Sequence, residues 1–208
     1  MFYLGDSITA GYKTSNPAVC RYPNQIFLQN QIPYQADAVT GSTVVHSSDG
    51  KGFYDRVSDD DFSKTEKLVI FGGHNDFHQN KPLGKLGDTT GDTFYGAYEG
   101  VIKSALASNP KLKIYLVTPN WRIVDESDQT SINKDIDTYV NGAGATFGDY
   151  TKAIEDLGAK YHLPVLNLYK DWGVFRGNRT VWLVDNLHPN DAGQKWLAEK
   201  INGFIESN

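Results

Sequence analysis

Cysteine is almost absent from this chain of 208 residues, in which Cys20 is the only one. A single cysteine rules out a disulfide within the chain and a metal cluster held by several thiolates. Cys20 stands between Val19 and Arg21, and no neighbouring residue would activate a thiolate there. Cysteine chemistry is therefore a poor explanation of what the chain does.

Long apolar runs and basic clusters are missing as well. No apolar stretch approaches the roughly 20 residues that a membrane-spanning helix needs, so membrane insertion is not expected. Lys and Arg total 20 against 25 Asp and Glu, a net charge of −5, and no basic stretch is interleaved with aromatic residues. Nucleic acid is not an expected partner, because contacts to phosphates need clustered cations.

The N-terminal sequence leaves the cellular location open. Strand-type residues follow directly after Met1. Such a start fits a secreted protein after removal of its signal peptide, or a module of a larger cell-surface or virion protein. We expect an extracellular location, with the cytoplasm as the alternative.

Short apolar runs alternate with stretches of helical spacing along the whole chain. A length of 208 residues favours one domain, so residues 1–208 are predicted to form a single domain. Strands are predicted at 1–4, 34–39, 68–71, 112–117 and 164–168, and helices at 21–31, 94–109, 145–161 and 190–205. Strands separated by helices predict an α/β fold, a three-layer sandwich with a five-stranded parallel sheet.

Polar residues and glycines follow the predicted strands. Ser7, Gly41 and Asn75 come directly after the first, second and third strands. Ligands bind at the carboxyl ends of the strands in such a sheet, so these residues should share one edge. Asp185 and His188 lie in the turn before the last helix and can reach the same edge. Together they offer a hydroxyl, an imidazole, a carboxylate and hydrogen-bond donors, the parts of a nucleophilic site.

Four sequence blocks in this order resemble those of the SGNH (GDSL-like) hydrolases. They are Gly5-Asp6-Ser7-Ile8-Thr9, then Gly41, then Gly73-His74-Asn75-Asp76, and finally Asp185-Asn186-Leu187-His188. The resemblance extends from residue 2 to the closing helix. The first block has Ile8-Thr9 where the pattern that names the family has leucine after the serine.

The resemblance implies a flavodoxin-like SGNH hydrolase fold and an esterase-type acyl transfer that needs no cofactor and no metal. Ser7 would be the nucleophile, His188 the general base and then acid, and Asp185 the carboxylate that orients the imidazole. The backbone amides of Ser7 and Gly41 and the side-chain amide of Asn75 would form the oxyanion hole.

Three other interpretations remain open at this point. Asp6, Ser7 or Thr9 could simply cap the first helix. His74, Asp76 and His78 alternate, so an extended segment would place them on one face as a metal cluster. A binding module without catalysis on this scaffold is a further alternative, because fold does not dictate function.

Aromatic residues near the predicted strand exits suggest a sugar-binding surface, although core packing would also explain them. The candidates for substrate contacts are Tyr12, His74, Phe77, Trp121 and Trp182. The stretches 14–20, 73–91 and 120–144 are mostly polar and offer little surface to a lipid. We therefore expect a short acyl ester, above all an O-acetyl group on a small molecule or polysaccharide; a lipase or lysophospholipase is the alternative.

Overall fold

A parallel sheet of five strands forms the centre of the protein. The computed structural model describes residues 1–124, 134 and 136–208. The strands are β1 (Phe2–Gly5), β2 (Gln35–Ala38), β3 (Lys67–Phe71), β4 (Lys113–Val117) and β5 (Val165–Leu166). Their spatial order is β2-β1-β3-β4-β5, and all neighbours pair in parallel. This is the flavodoxin-like order, which confirms the predicted fold class.

Helices cover the sheet and connect its strands. The described residues form α1 (Ser7–Ala10), α2 (Pro17–Cys20), α3 (Tyr22–Asn30), α4 (Phe53–Arg56), α5 (His74–His78), α6 (Phe94–Ser108), α7 (Phe147–Tyr161), α8 (Leu168–Asp171), α9 (Arg179–Trp182) and α10 (Asp191–Ser207). None of these helices is long and apolar enough to cross a membrane.

The strand register decides which helices lie on which face of the sheet. Tyr3, Val69 and Tyr115 are neighbours in register and so point to one face. There Tyr3 packs edge-on against Tyr22 of α3, with ring centroids 5.4 Å apart, and Tyr115 packs against Phe204 of α10 at 6.0 Å. Helices α3 and α10 also pack against each other, whereas α6 packs against α4 and α7.

The structure gives different or finer boundaries for two stretches of the chain. The fifth strand was predicted over 164–168, but only Val165 and Leu166 pair with β4. The strand ends there because the Asn167 side chain accepts a hydrogen bond from the backbone N–H of Lys170 and begins α8. The polar stretch 73–91 begins with a short helix, since α5 covers His74–His78.

Single helical turns lie between the predicted elements. Helix α2 lies within the polar stretch 14–20, and α4 lies between the second and third predicted strands. Residues 125–133 and 135, which belong to the polar stretch 120–144, lie outside the described residues.

Helix α10 is attached to the start of the chain by a buried glutamine. The Oε1 atom of Gln194 accepts a hydrogen bond from the Tyr22 amide at 2.8 Å, and its Nε2 donates to the Ile8 carbonyl at 2.9 Å. The side chain is fully buried. Because α1 contains Ile8 and α3 begins at Tyr22, one side chain fixes the last helix against α1 and α3.

We expect Gln194→Ala to lower the free energy of unfolding by roughly 2 kcal/mol, because it leaves the buried Tyr22 N–H without a partner and removes one of two hydrogen bonds to the Ile8 carbonyl. Urea denaturation measures the loss. Gln29→Ala, at an exposed position of α3, is the matched control and should change stability by less than about 0.5 kcal/mol. Equal effects of the two substitutions would contradict the anchoring role of Gln194.

Candidate active site

The turn after β1 presents Ser7 without using it as a cap. Asp6 is the N-cap of α1, and its Oδ1 accepts a hydrogen bond from the Ile8 amide at 2.9 Å. The capping interpretation is therefore correct for Asp6, and the Ser7 hydroxyl is available for another contact. The turn is tight, since a Cβ atom on Gly5 would lie 1.9 Å from Thr9 Oγ1.

A closed loop before α10 brings Asp185 beneath the His188 ring. Two backbone hydrogen bonds close it, from the Val184 amide to the His188 carbonyl at 2.8 Å and from the Asn190 amide to the Trp182 carbonyl at 2.9 Å. Inside the loop, Asp185 Oδ1 accepts the backbone N–H of His188 at 2.8 Å. This short-range bond explains the Asp-x-x-His spacing, because it directs the carboxylate to the side chain three residues later.

Ser7, His188 and Asp185 form a continuous chain of hydrogen bonds. Ser7 Oγ lies 3.0 Å from His188 Nε2, and His188 Nδ1 lies 2.8 Å from Asp185 Oδ2. Ser7 is 5% exposed and His188 is 6% exposed. An ionised carboxylate only accepts hydrogen bonds, so Nδ1 holds the imidazole proton and Nε2 accepts from the serine hydroxyl.

Asp185 is held in its ionised form by the donors around it. Burial would raise its pKa, but hydrogen bonds from His188 and Lys13 outweigh burial and keep the pKa of Asp185 well below its ordinary value. Lys13 Nζ lies 2.6 Å from Asp185 Oδ2. The carboxylate therefore remains charged at neutral and mildly acidic pH.

The loop after β2 that contains Gly41 is held by two side chains from the segment after β3. Asn75 Nδ2 donates to the Ser42 carbonyl at 2.9 Å, and Gln79 Nε2 donates to the Gly41 carbonyl at 3.1 Å. Gly41 has a φ of +80°, a left-handed conformation that favours glycine. An amide group has two N–H bonds, so Asn75 holds the loop with one and has a second for a ligand.

A buried carboxylate fastens the same loop from the other side. The Asp76 oxygens accept the backbone amides of Val44 and Val45 at 2.9 and 3.0 Å. Burial raises the pKa of Asp76 to about 7, although these amide bonds lower it. Helix α5 and the loop after β2 are thus joined through three neighbouring side chains.

The residues predicted to contact the substrate differ in their exposure to solvent. His74, Phe77 and Trp121 are 1%, 2% and 8% exposed, so they offer little ring surface to a sugar, and their role as substrate contacts stays a prediction. Trp182 is half-buried and packs on Trp196, with ring centroids 4.5 Å apart. Tyr12 is 43% exposed and its ring lies 5.0 Å from that of His188, which leaves it as the aromatic candidate beside the site.

The metal interpretation of His74, Asp76 and His78 fails on geometry. It requires an extended segment, but these residues form α5. His74 Nε2 accepts the Asn120 amide at 3.1 Å inside the core. No group of three or more His, Cys, Asp and Glu side chains within 1–124, 134 and 136–208 has the geometry to hold a metal ion.

Two contacts of the site were not anticipated from the sequence. Lys13 reaches Asp185, 172 positions further along the chain, and Gln79 supports Gly41, 38 positions before it. Neither residue belongs to a recognisable block. A signal existed only for Lys13, since it closely follows the turn that contains Ser7.

A serine, an imidazole and a carboxylate that meet at the carboxyl edge of a flavodoxin-like sheet define the SGNH class of hydrolase architecture. Residues 3–196 match the model of the GDSL-like lipase/acylhydrolase family, and the chain belongs to this family. The match confirms the resemblance inferred from the four blocks. No match was found among the curated proteins.

Solved structures with the same fold include proteins from several bacteria. A protein from Lactobacillus plantarum is 28% identical with a TM-score of 0.82, over 100% of this chain and 96% of its own. A lipase/acylhydrolase from Enterococcus faecalis is 20% identical with a TM-score of 0.66, over 99% of this chain and 95% of its own. The acetyl xylan esterase AlAXEase is 22% identical with a TM-score of 0.67, over 99% of this chain and 100% of its own.

The raised pKa of Asp76 predicts a pH-dependent contribution to stability. A carboxyl whose pKa is higher in the folded state stabilises the fold below its unfolded pKa, and this contribution is lost as the pH rises through the folded value of about 7. Asp76→Asn cannot titrate. The stability difference between wild type and variant should therefore decrease between about pH 4 and pH 8, by on the order of a few kcal/mol.

Urea denaturation at a series of pH values tests this prediction. Asp61→Asn is the control, because Asp61 is exposed and hydrogen bonds from Ser63 lower its pKa. A lowered pKa has the opposite effect on the pH dependence of stability. The stability difference between wild type and Asp61→Asn should therefore be small and should grow as the pH rises. Parallel curves for wild type and Asp76→Asn would show that Asp76 does not titrate in this range.

Proposed function

We propose that the protein is a serine esterase that hydrolyses short acyl esters, above all O-acetyl groups on carbohydrates. The observation on which this rests is the pair of contacts made by His188, 3.0 Å to Ser7 Oγ and 2.8 Å to Asp185 Oδ2. A neutral serine hydroxyl is a weak nucleophile. An adjacent base, itself oriented by a third group, makes it competent.

Acylation starts with the attack of Ser7 Oγ on the ester carbonyl carbon. His188 Nε2 takes the hydroxyl proton as the C–O bond forms, and Asp185 stabilises the resulting imidazolium through Nδ1. The tetrahedral intermediate collapses when the same proton passes from Nε2 to the leaving alcohol oxygen. An acyl group then remains on Ser7. Water then attacks the acyl carbon while His188 Nε2 takes its proton, and Nε2 returns this proton to Ser7 Oγ as the bond to the acyl group breaks and the acid leaves.

The negative charge on the carbonyl oxygen needs donors fixed in advance. The Ser7 amide is in the first turn of α1 and has no partner within the helix. The Gly41 amide lies in the loop that Asp76 and Gln79 fasten, and Asn75 contributes its second N–H. Donors held by other contacts cost no reorganisation when the charge develops, which is the main source of this kind of stabilisation.

A small cavity that includes Gly41 and a second one beside α5 are both lined mainly by polar groups. One of about 130 Å³ includes Gly41 and is lined by Thr40, Gly41, Ser42, Thr43, Ser47, Asp49, Lys51 and Gln79. Another of about 150 Å³ lies beside α5 and is lined by Phe77, His78, Asn80, Val124, Lys134, Tyr139 and Asn141. Such spaces suit a short acyl group or a hydroxyl-rich alcohol better than a lipid chain.

The comparisons support a carbohydrate ester without deciding it. AlAXEase, which shares the fold over 99% of this chain, is an acetyl xylan esterase. The exposed ring of Tyr12 beside His188 offers a flat face to a sugar on the side of the leaving alcohol.

Ser7→Ala should abolish ester hydrolysis with the fold intact. The members of a nucleophile and base system act as a unit, so we expect a loss in kcat of a thousandfold or more on p-nitrophenyl acetate. Labelling with an organophosphonate, followed by mass spectrometry, should modify Ser7 in the wild type alone. Unlabelled Ser7 together with more than a tenth of the wild-type rate in the variant would exclude the mechanism and favour a binding module.

Rates on p-nitrophenyl esters should fall steeply from acetate to octanoate, because each added methylene finds no apolar surface to bury. Such burial is worth about 0.8 kcal/mol per methylene where a groove exists. A kcat/KM that rises through octanoate would instead indicate an acyl groove and a lipase. Release of acetate from acetylated xylan, compared with an acetylated amino alcohol, tests the carbohydrate part of the proposal.

A further inference from the structure

Lys13 and His188 bind the same oxygen atom of Asp185. Lys13 Nζ lies 2.6 Å from Asp185 Oδ2, and His188 Nδ1 lies 2.8 Å from it. The side chain of Asp185 is 13% exposed and that of Lys13 is 40% exposed. The carboxylate that orients the imidazole is therefore shared with an ammonium group that reaches it from the surface.

The segment that contains Lys13 contacts the His188 loop and the start of α10 at three points. Tyr12 packs edge-on against the His188 ring, Lys13 binds Asp185, and Ser15 binds Asp191 with its amide at 2.9 Å and its hydroxyl at 2.5 Å. Lys13 itself has a φ of +65°, a conformation that a residue other than glycine rarely adopts. These contacts hold the strained residue where its ammonium meets the carboxylate.

We propose that Lys13 is a positioning residue that keeps His188 unprotonated, and so active as a base, at lower pH than Asp185 alone would allow. This inference rests on the proposed esterase function. Asp185 favours the imidazolium by charge attraction, and a cation on the same carboxylate opposes that effect while it fixes the carboxylate in place.

The charges around the pair are few among the described residues. His188 faces Ser7, Tyr12 and Asp185, and the ion pairs of Asp185 are those with Lys13 and His188. Asp191, the next acidic residue along the chain, is engaged by Ser15. Removal of Lys13 therefore changes the charge balance of the imidazole through Asp185.

The test is the pH profile of kcat/KM on p-nitrophenyl acetate for wild type, Lys13→Met, Lys13→Gln and Lys13→Arg. The two neutral variants should shift the acid limb upward by about half a unit to one unit, because the lost cation is partly exposed and screened. Relative to wild type, the loss of kcat/KM in these variants should then be about three- to tenfold larger at the acid end of the profile than on its plateau. Lys13→Arg keeps the charge and should keep the wild-type acid limb.

A merely structural role gives a different result. If Lys13 only holds the loop, both neutral variants lose the same factor at every pH, and that outcome would overturn the inference, as would wild-type profiles in both. Thermal unfolding shows whether Lys13→Met or Lys13→Gln has a folding defect. If one of the two does, the pH profile of the other still tests the inference. The Ser7→Ala assay distinguishes failure of the proposed esterase function from failure of the inference about Lys13. An active Ser7→Ala variant would overturn the proposed function. An inactive Ser7→Ala variant together with unshifted pH profiles of the Lys13 variants would overturn only the inference about Lys13.

Discussion

The contact between Ser7 and His188 joins residues 181 positions apart, and both sides of the fold serve to hold it. The sheet fixes Ser7, because β1 lies in its interior between β2 and β3. The docking of α10 fixes His188, since the loop that contains it leads directly into this helix. Gln194 links the two sides through the Ile8 carbonyl and the Tyr22 amide. The alignment of a nucleophile with its base is sensitive to a displacement of about 1 Å. The Ser7–His188 contact therefore depends on the position of α10, although most contacts of this helix lie away from Ser7 and His188.

Three carboxylates shape the site by accepting backbone N–H groups, Asp6 and Asp185 from close neighbours in the chain and Asp76 from residues 32 and 31 positions away. Asp6 accepts the amide of Ile8, Asp185 accepts that of His188, and Asp76 accepts those of Val44 and Val45. In each case a backbone N–H that would otherwise be unpaired at a turn finds an acceptor, and a neighbouring residue is aimed at the strand exits. Rigid turns of this kind hold reactive groups more firmly than flexible loops do.

The blocks of the sequence predicted the fold and the residues that meet, because strand exits share an edge by topology alone. Side-chain direction was harder to predict. His74 and Asn75 follow the same strand, yet successive residues of a helix point about 100° apart, so α5 turns His74 into the core and Asn75 towards the Gly41 loop. Lys13 closely follows the Ser7 turn, which indicates a place near the site, but its contact with Asp185 could not be predicted because the two residues are 172 positions apart. The two-residue β5 was overpredicted because an apolar run does not reveal the cap that Asn167 provides.

The proposed mechanism also orients the substrate. The leaving oxygen must receive its proton from His188 Nε2, so the alcohol part of the ester has to lie on the side of His188 and Tyr12. The carbonyl oxygen has to face Asn75 and Gly41, across the crevice between β1 and β3. The two ends of the ester therefore meet different surfaces, with an exposed aromatic ring for the alcohol and a small polar cavity on the side of the Gly41 donor. Since many members of one fold share the reacting groups, the choice of substrate resides in these surfaces rather than in the serine and its base.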